Sequence, residues 1–139
     1  MHQRNLEACS SRAVSEQHAL FSTLTNRLES VTDYLASTHG IGWFDGGCYT
    51  FAAAICEYYT GASPYYISRC TSLRDHAVVY IASMDRFLDA DGLQSREVLF
   101  HKMRTVELVP VSILLPFDDL YRFPIYDDVK VRLQHALAV

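Results

Sequence analysis

The chain has 139 residues and 50% of them are hydrophobic, which is the length of one ordinary domain with enough apolar material for a single core. A formal net charge of −4 and a pI near 5.8 supply no basic field for tracking phosphates, so nucleic acid is excluded as a partner on electrostatic grounds. Cysteines at positions 9, 48, 56 and 70 form no C-x-x-C pair, so reduced thiols are expected rather than a zinc site or a disulfide framework.

Residues 1–19 are polar and mixed in charge, without the apolar stretch of a secretion signal. No run approaches the roughly 20 apolar residues needed to span a bilayer. A cytoplasmic protein without a membrane partner is the expectation, although a signal-free secretion route leaves no mark in a sequence. Val14, Leu20, Phe21, Leu24, Leu28, Val31, Tyr34 and Leu35 recur at steps of three, four and seven, which predicts an amphipathic helix over about 14–36. His39-Gly40-Ile41-Gly42 breaks that pattern, and Asp45-Gly46-Gly47 continues the loop.

From Cys48 to about Thr60 the chain is apolar nearly all round, as a helix buried in the middle of a domain must be. Gly61 and Pro64 stand where such a helix ends. A strand is predicted at 65–70, then a hairpin with His76 to Ala82 outgoing, a turn at Ser83-Met84-Asp85, and Arg86 to Asp91 returning. A short helix over 96–104, a strand over 105–109, pieces divided by Pro110, Pro116 and Pro124, and a last helix over about 125–137 complete the reading. The whole is one α+β domain over 1–139, with its core between about 40 and 109.

Chemistry concentrates at three places. Cys48 begins the buried helix, where unpaired N–H groups and the macrodipole favour a thiolate by about 0.3–1 kcal/mol and can also donate to an oxyanion. Gly46 and Gly47 let the backbone turn sharply and leave space beside the sulfur for a substrate carbonyl. The bland alternative is that Cys48 is a small buried residue. Cys56, in mid-helix, and Cys70, at a strand end, fit that alternative better.

His76 opens a strand, from which an imidazole can project rigidly toward the helix start. Residues two apart share a face, so Phe87, Asp89 and Asp91 line up on one strand and His76, Val78 and Tyr80 on the other. With a four-residue loop at 82–85, His76 stands opposite Asp91 and diagonal to Asp89, so either carboxylate can take the imidazole N–H. A buried aspartate needs a partner, and the histidine supplies one. Otherwise Asp89 and Asp91 are turn residues that bond nearby backbone N–H groups before Gly92. His39 either lines the cleft or faces solvent. His18, His101 and His135 read as helix-surface residues without metal-site spacing, and Asp75 points away from His76.

Gly46-Gly47-Cys48-Tyr49-Thr50-Phe51-Ala52, Asp75-His76-Ala77-Val78-Val79 and Arg86-Phe87-Leu88-Asp89-Ala90-Asp91-Gly92 resemble the papain-like cysteine hydrolase superfamily, closest to its small bacterial and transglutaminase-like branches. The resemblance covers about positions 40–93. It implies a papain-like core in which a central helix starts at the nucleophile and packs on a small antiparallel sheet. It makes Cys48 the nucleophile, His76 the base and Asp89 the orienter, with Asp91 as the rival orienter. No glutamine precedes Cys48 where papain-like proteases supply an oxyanion donor, so the Cys48 N–H is the first candidate for that role. The glutamate that distantly related arylamine acetyltransferases often carry soon after the cysteine is also absent.

The expected activity is hydrolysis or deamidation of an amide in a peptide, a protein or a small molecule, through an acyl-enzyme on Cys48 and without a cofactor or metal. Acyl transfer to an amine uses the same groups, and water exclusion separates the outcomes. Trp43, Gly47 and Tyr49 are expected to line the substrate cleft. A protein-binding module on the same scaffold, with an unreactive cysteine, is the alternative from a different class.

Overall fold

The computed structural model describes residues 19–110 and 113–138, so Cys9, His18 and the first part of the predicted N-terminal helix, 14–18, lie outside the described residues. Where that helix is described, a helical turn over 19–22 is interrupted at Thr23 and followed by α1 (Leu24–Arg27) and α2 (Glu29–His39), with a second break at Leu28. Just before α1, the Thr23 hydroxyl donates to the Ala19 and Leu20 carbonyls at 3.1 and 3.2 Å, the back-bonding by which threonine competes with regular helix. The apolar stripe nevertheless works as expected: Phe21, Leu24, Leu28, Val31 and Leu35 are all buried. Gly40, at φ 69°, ends α2 in the left-handed conformation that glycine adopts without strain.

The buried central helix is α3 (Cys48–Tyr58). Ala52, Ala53 and Ala54 are completely buried there, and their small side chains let neighbouring backbone come close. Five strands follow: β1 (Ala62–Ser68), β2 (His76–Ile81), β3 (Arg86–Asp89), β4 (Gly92–Gln94) and β5 (Ile113–Pro116). They form one sheet in the order β4-β3-β2-β1-β5 with every neighbouring pair antiparallel. Helix α4 (Arg96–Thr105) intervenes before β5, and α5 (Asp127–Ala138) closes the chain after a 3-10 turn at Leu120–Arg122. The architecture is therefore α+β.

Strand alternation sends side chains into two cores. Ala77, Val79 and Ile81 of β2 and Leu88 of β3 enter the larger one with Phe51, Leu35 and Leu133. Val78, Phe87 and Ile67 enter a smaller one with Leu99 and Met103 of α4. Burying a side chain such as Phe51 is worth about 1.5–3 kcal/mol, so the larger cluster carries most of the apolar driving force. Pro64 is tolerated in β1 because that stretch has no ladder partner on the β5 side, where the Pro64 carbonyl instead accepts from the Phe117 N–H at 2.9 Å.

Two expectations need correction. The strand expected at 105–109 does not form, because its N–H groups turn back to end α4. Glu107 donates to the Lys102 carbonyl and Val109 to that of Met103, with Leu108 at φ 55°. The last strand starts only at Ile113, beyond Pro110. In addition, the hairpin returns only as far as Asp89, because Gly92 at φ 105° reverses the chain into β4, a strand too short to stand out in the sequence.

Candidate active site

Cys48 stands at the first position of α3 because the preceding loop folds tightly on itself. Gly46 has φ 120°, which strongly disfavours a side chain. Gly47 is different: its backbone is ordinary, but an added Cβ would lie 2.7 Å from the Gly42 carbonyl oxygen and 2.9 Å from Leu35. The Gly47 N–H donates to that same carbonyl at 3.0 Å. Gly47 is thus buried in packing and does not line a cleft. The first bond of the helix runs from the Phe51 N–H to the Gly47 carbonyl, so the N–H groups of Cys48, Tyr49 and Thr50 have no helical acceptor.

His76 is the first residue of β2, on the face of the strand that Val78 shares. The β2–β3 register pairs Val79 with Leu88, Tyr80 with Phe87 and Ile81 with Arg86, leaving residues 82–85 as the loop. Asp89 lies on the Phe87 face, and the imidazole meets it: Nε2 is 3.3 Å from Asp89 Oδ2. An ionised carboxylate only accepts, so Nε2 carries the proton and donates. His76 and Asp89 are each 2% exposed. Asp91, the other carboxylate considered, sits at the tip of the β3–β4 turn with its side chain 56% exposed and does not reach the imidazole. Its backbone N–H donates to Asp89 Oδ1 at 3.0 Å, so Asp89 orients the imidazole and also braces the turn.

The other ring nitrogen, Nδ1, is buried and without a hydrogen-bond partner. Burial alone would lower the His76 pKa, but Asp89 and the Cys48 sulfur favour the imidazolium and together raise it to about 9. Cys48 thus acts on the ring through both hydrogen bonding and charge, although its sulfur makes no close, well-aligned hydrogen bond to Nδ1. Burial would raise the Asp89 pKa, and the bonds to His76 and the Lys102 ammonium outweigh it, so the carboxyl is held below its ordinary range.

Sequence reasoning missed two members of this cluster. Gln94 Nε2 donates to Asp89 Oδ1 at 2.7 Å, and the Lys102 ammonium donates to Asp89 Oδ2 and lies 3.2 Å from Asp91. The signal for Lys102 was present: Leu99, Lys102 and Met103 stand at helical spacing on one face of α4, and the two apolar members are buried. For Gln94 there was none, since β4 itself was unrecognised. Phe44 completes the group, stacking on the His76 ring at 4.9 Å with 24° between planes.

The other residues singled out fall elsewhere. Trp43 is only 6% exposed, packs edge-on against Phe51 and donates from Nε1 to Thr32, so it belongs to the core and does not wall a cleft. Tyr49 is half-buried and stacks on Phe123. Its hydroxyl donates to the Arg74 carbonyl at 2.9 Å, bracing the segment that leads to His76. His39, at the end of α2, pairs with Asp128 of α5 at 2.9 Å. Asp75 binds Arg69 at 2.8 Å. Burial pushes the Cys56 thiol up to about 12, whereas a hydrogen bond from Ser72 lowers that of Cys70.

Cys48 is 4% exposed. Surface depressions at α2–α5, at the Tyr65–Tyr80–Phe87 face and beside Asn26 are not lined by Cys48, His76 or Asp89. Among the described residues no helix is long and apolar enough to cross a membrane, and no three His, Cys, Asp or Glu side chains gather as a metal site. No protein-family model matches the chain, and comparisons with curated proteins and with solved structures also gave no match.

Proposed function

We propose that the chain is a cysteine-dependent hydrolase acting on an amide, with a papain-like core in which Cys48 is the nucleophile, His76 the base and Asp89 the orienting carboxylate. One observation carries the reading: a buried imidazole, bound through Nε2 to a buried carboxylate, keeps Nδ1 without a partner, and the sulfur of a cysteine that begins a helix lies near enough to favour its charged form. Burying an ion pair for stability alone is poorly rewarded, so an expensive arrangement with one open nitrogen favours chemistry over packing.

In this mechanism His76 takes the Cys48 proton as the sulfur attacks the carbonyl carbon. The Cys48 N–H, which has no helical acceptor, donates to the oxyanion. His76 then gives its Nδ1 proton to the leaving amine, an acyl-enzyme remains, and His76 activates water to release the acid. An amine in place of water would give acyl transfer by the same steps.

The burial of Cys48 favours a second reading, a binding module with an inert thiol, because a substrate must displace something to reach the sulfur. A peptidyl electrophile such as a vinyl sulfone separates the two. The hydrolase reading expects Cys48 to be labelled faster than Cys70, whose thiol pKa a hydrogen bond with Ser72 lowers, and expects the label to vanish in His76→Ala. Labelling that follows accessibility alone, Cys70 first and Cys48 unmodified, would overturn it.

A further inference from the structure

The geometry points to Lys102 as a positioning residue for this site: its ammonium clamps the Asp89 carboxylate and the Phe44 ring, which together fix the His76 imidazole opposite Cys48. The inference rests on the triad proposed above. Lys102 donates to Oδ2, the same oxygen that accepts from His76 Nε2, while Gln94 and the Asp91 N–H occupy Oδ1. Donors on both oxygens leave the carboxylate no freedom to rotate away from the imidazole. The same ammonium lies 4.9 Å from the centre of the Phe44 ring, whose plane stacks on His76 at 4.9 Å. One cation thus holds the imidazole edge through Asp89 and its face through Phe44.

Solvent does not explain the placement. The Lys102 side chain is 13% exposed and emerges from the inner face of α4 between Leu99 and Met103, although the chain has only two lysines, the other being Lys130. The titratable groups around His76 are Cys48 from α3, Asp89 from β3 and Lys102 from α4, with Asp91 joined through Lys102. Lys102 is the sole fixed cation in that set. A cation beside an imidazolium disfavours it by like-charge repulsion, so removing Lys102 would act on the His76 proton as well as on where the ring stands.

The test is titration of the His76 ring by nuclear magnetic resonance in a Cys48→Ser background, together with the alkylation rate of Cys48 by iodoacetamide at pH 7 in the otherwise native chain. Lys102→Gln and Lys102→Met are expected to raise the His76 midpoint by about half a pH unit or more. They are also expected to slow Cys48 alkylation about tenfold, and Lys102→Arg to restore both. Circular dichroism checks the fold, and Lys102→Gln, one atom shorter but able to donate, stands in if Lys102→Met does not fold. An unchanged midpoint and an unchanged rate in folded Lys102→Gln overturn the inference. A shifted midpoint in a protein whose Cys48 never reacts with an amide electrophile supports the clamp and refutes the hydrolase, so the two failures are distinct.

Discussion

Asp89 and Glu57 each gather donors from distant segments, and α3 connects their neighbourhoods. Near its start, Asp89 accepts from His76, Lys102, Gln94 and the Asp91 N–H. At its other end, Glu57 accepts from Tyr121, Lys130 and Gln134. The bonding is similar, but the Asp89 side chain is 2% exposed and that of Glu57 is 36% exposed. Water can replace any donor that Glu57 loses, whereas a donor lost at Asp89 leaves a charge stranded in a poorly solvated interior. Similar sets of donors therefore build a replaceable surface cluster in one place and an obligatory buried one in the other.

The largest effect should come from Asp89→Ala, which leaves Lys102 and an ionisable His76 buried without their acceptor. Breaking such a pair costs about 3–5 kcal/mol, a large part of the stability of a single domain. Urea denaturation measures it, and a loss no greater than that of Glu57→Ala would break the comparison.

pH sharpens it. The His76 pKa is raised to about 9, so the stability from its pairing is complete below its unfolded value, about 6.5, and is lost as pH rises through about 9. The Asp89 pKa is lowered, so its contribution is present above an unfolded value of about 3.9 and is lost as pH falls through the depressed folded value. Between those limits the buried pair is charged. In hydrolysis the imidazolium must protonate the leaving amine, so the rate should fall on the alkaline side near pH 9. Asp89→Asn removes a group that favours the imidazolium, and the alkaline limb should move to lower pH. A limb that stays in place would remove Asp89 from the site.

These contrasts also explain what a sequence can reveal here. The central helix, the hairpin with its four-residue loop and the last helix were legible because burial imposes periodic patterns: Val129, Leu133 and Leu137 of α5 are buried at steps of four. Register brought His76 within reach of both Asp89 and Asp91, and the structure pairs it with Asp89. What remained hidden depends on contacts that leave no period. Gln94 lies on a three-residue strand, and the N–H groups after α4 cap the helix although Val106 and Val109 favour strand. Trp43 and Gly47 stood near the cysteine in sequence and read as cleft residues, yet they pack inward because Gly47 touches the Gly42 carbonyl.

Gly47→Ala tests that packing at the buried end of α3. The new methyl would meet the Gly42 oxygen at 2.7 Å, and backbone cannot swing aside as a flexible side chain can. A cost of about 1–3 kcal/mol is expected, as for other overpacked sites. Labelling of Cys48 should fall as well, because the start of α3 must shift. An unchanged melting temperature would mean that the loop yields freely.

The smallest effect belongs to the exposed cluster. Burial opposes ionisation of Glu57, but its bonds to Tyr121, Lys130 and Gln134 prevail and lower its pKa, so its contribution is present above the ordinary carboxylate range and is lost as pH falls. Screening by solvent limits that contribution. Glu57→Gln should therefore cost about 0.2–1 kcal/mol at low ionic strength, and less in about 1 M salt, where the Debye length is about 3 Å. Asp89→Asn, measured alongside by urea denaturation, should keep its full cost in both buffers, because salt does not enter a site that is 2% exposed. If added salt relieves the two substitutions equally, the charges at Asp89 are solvated, and burial cannot be what distinguishes the site.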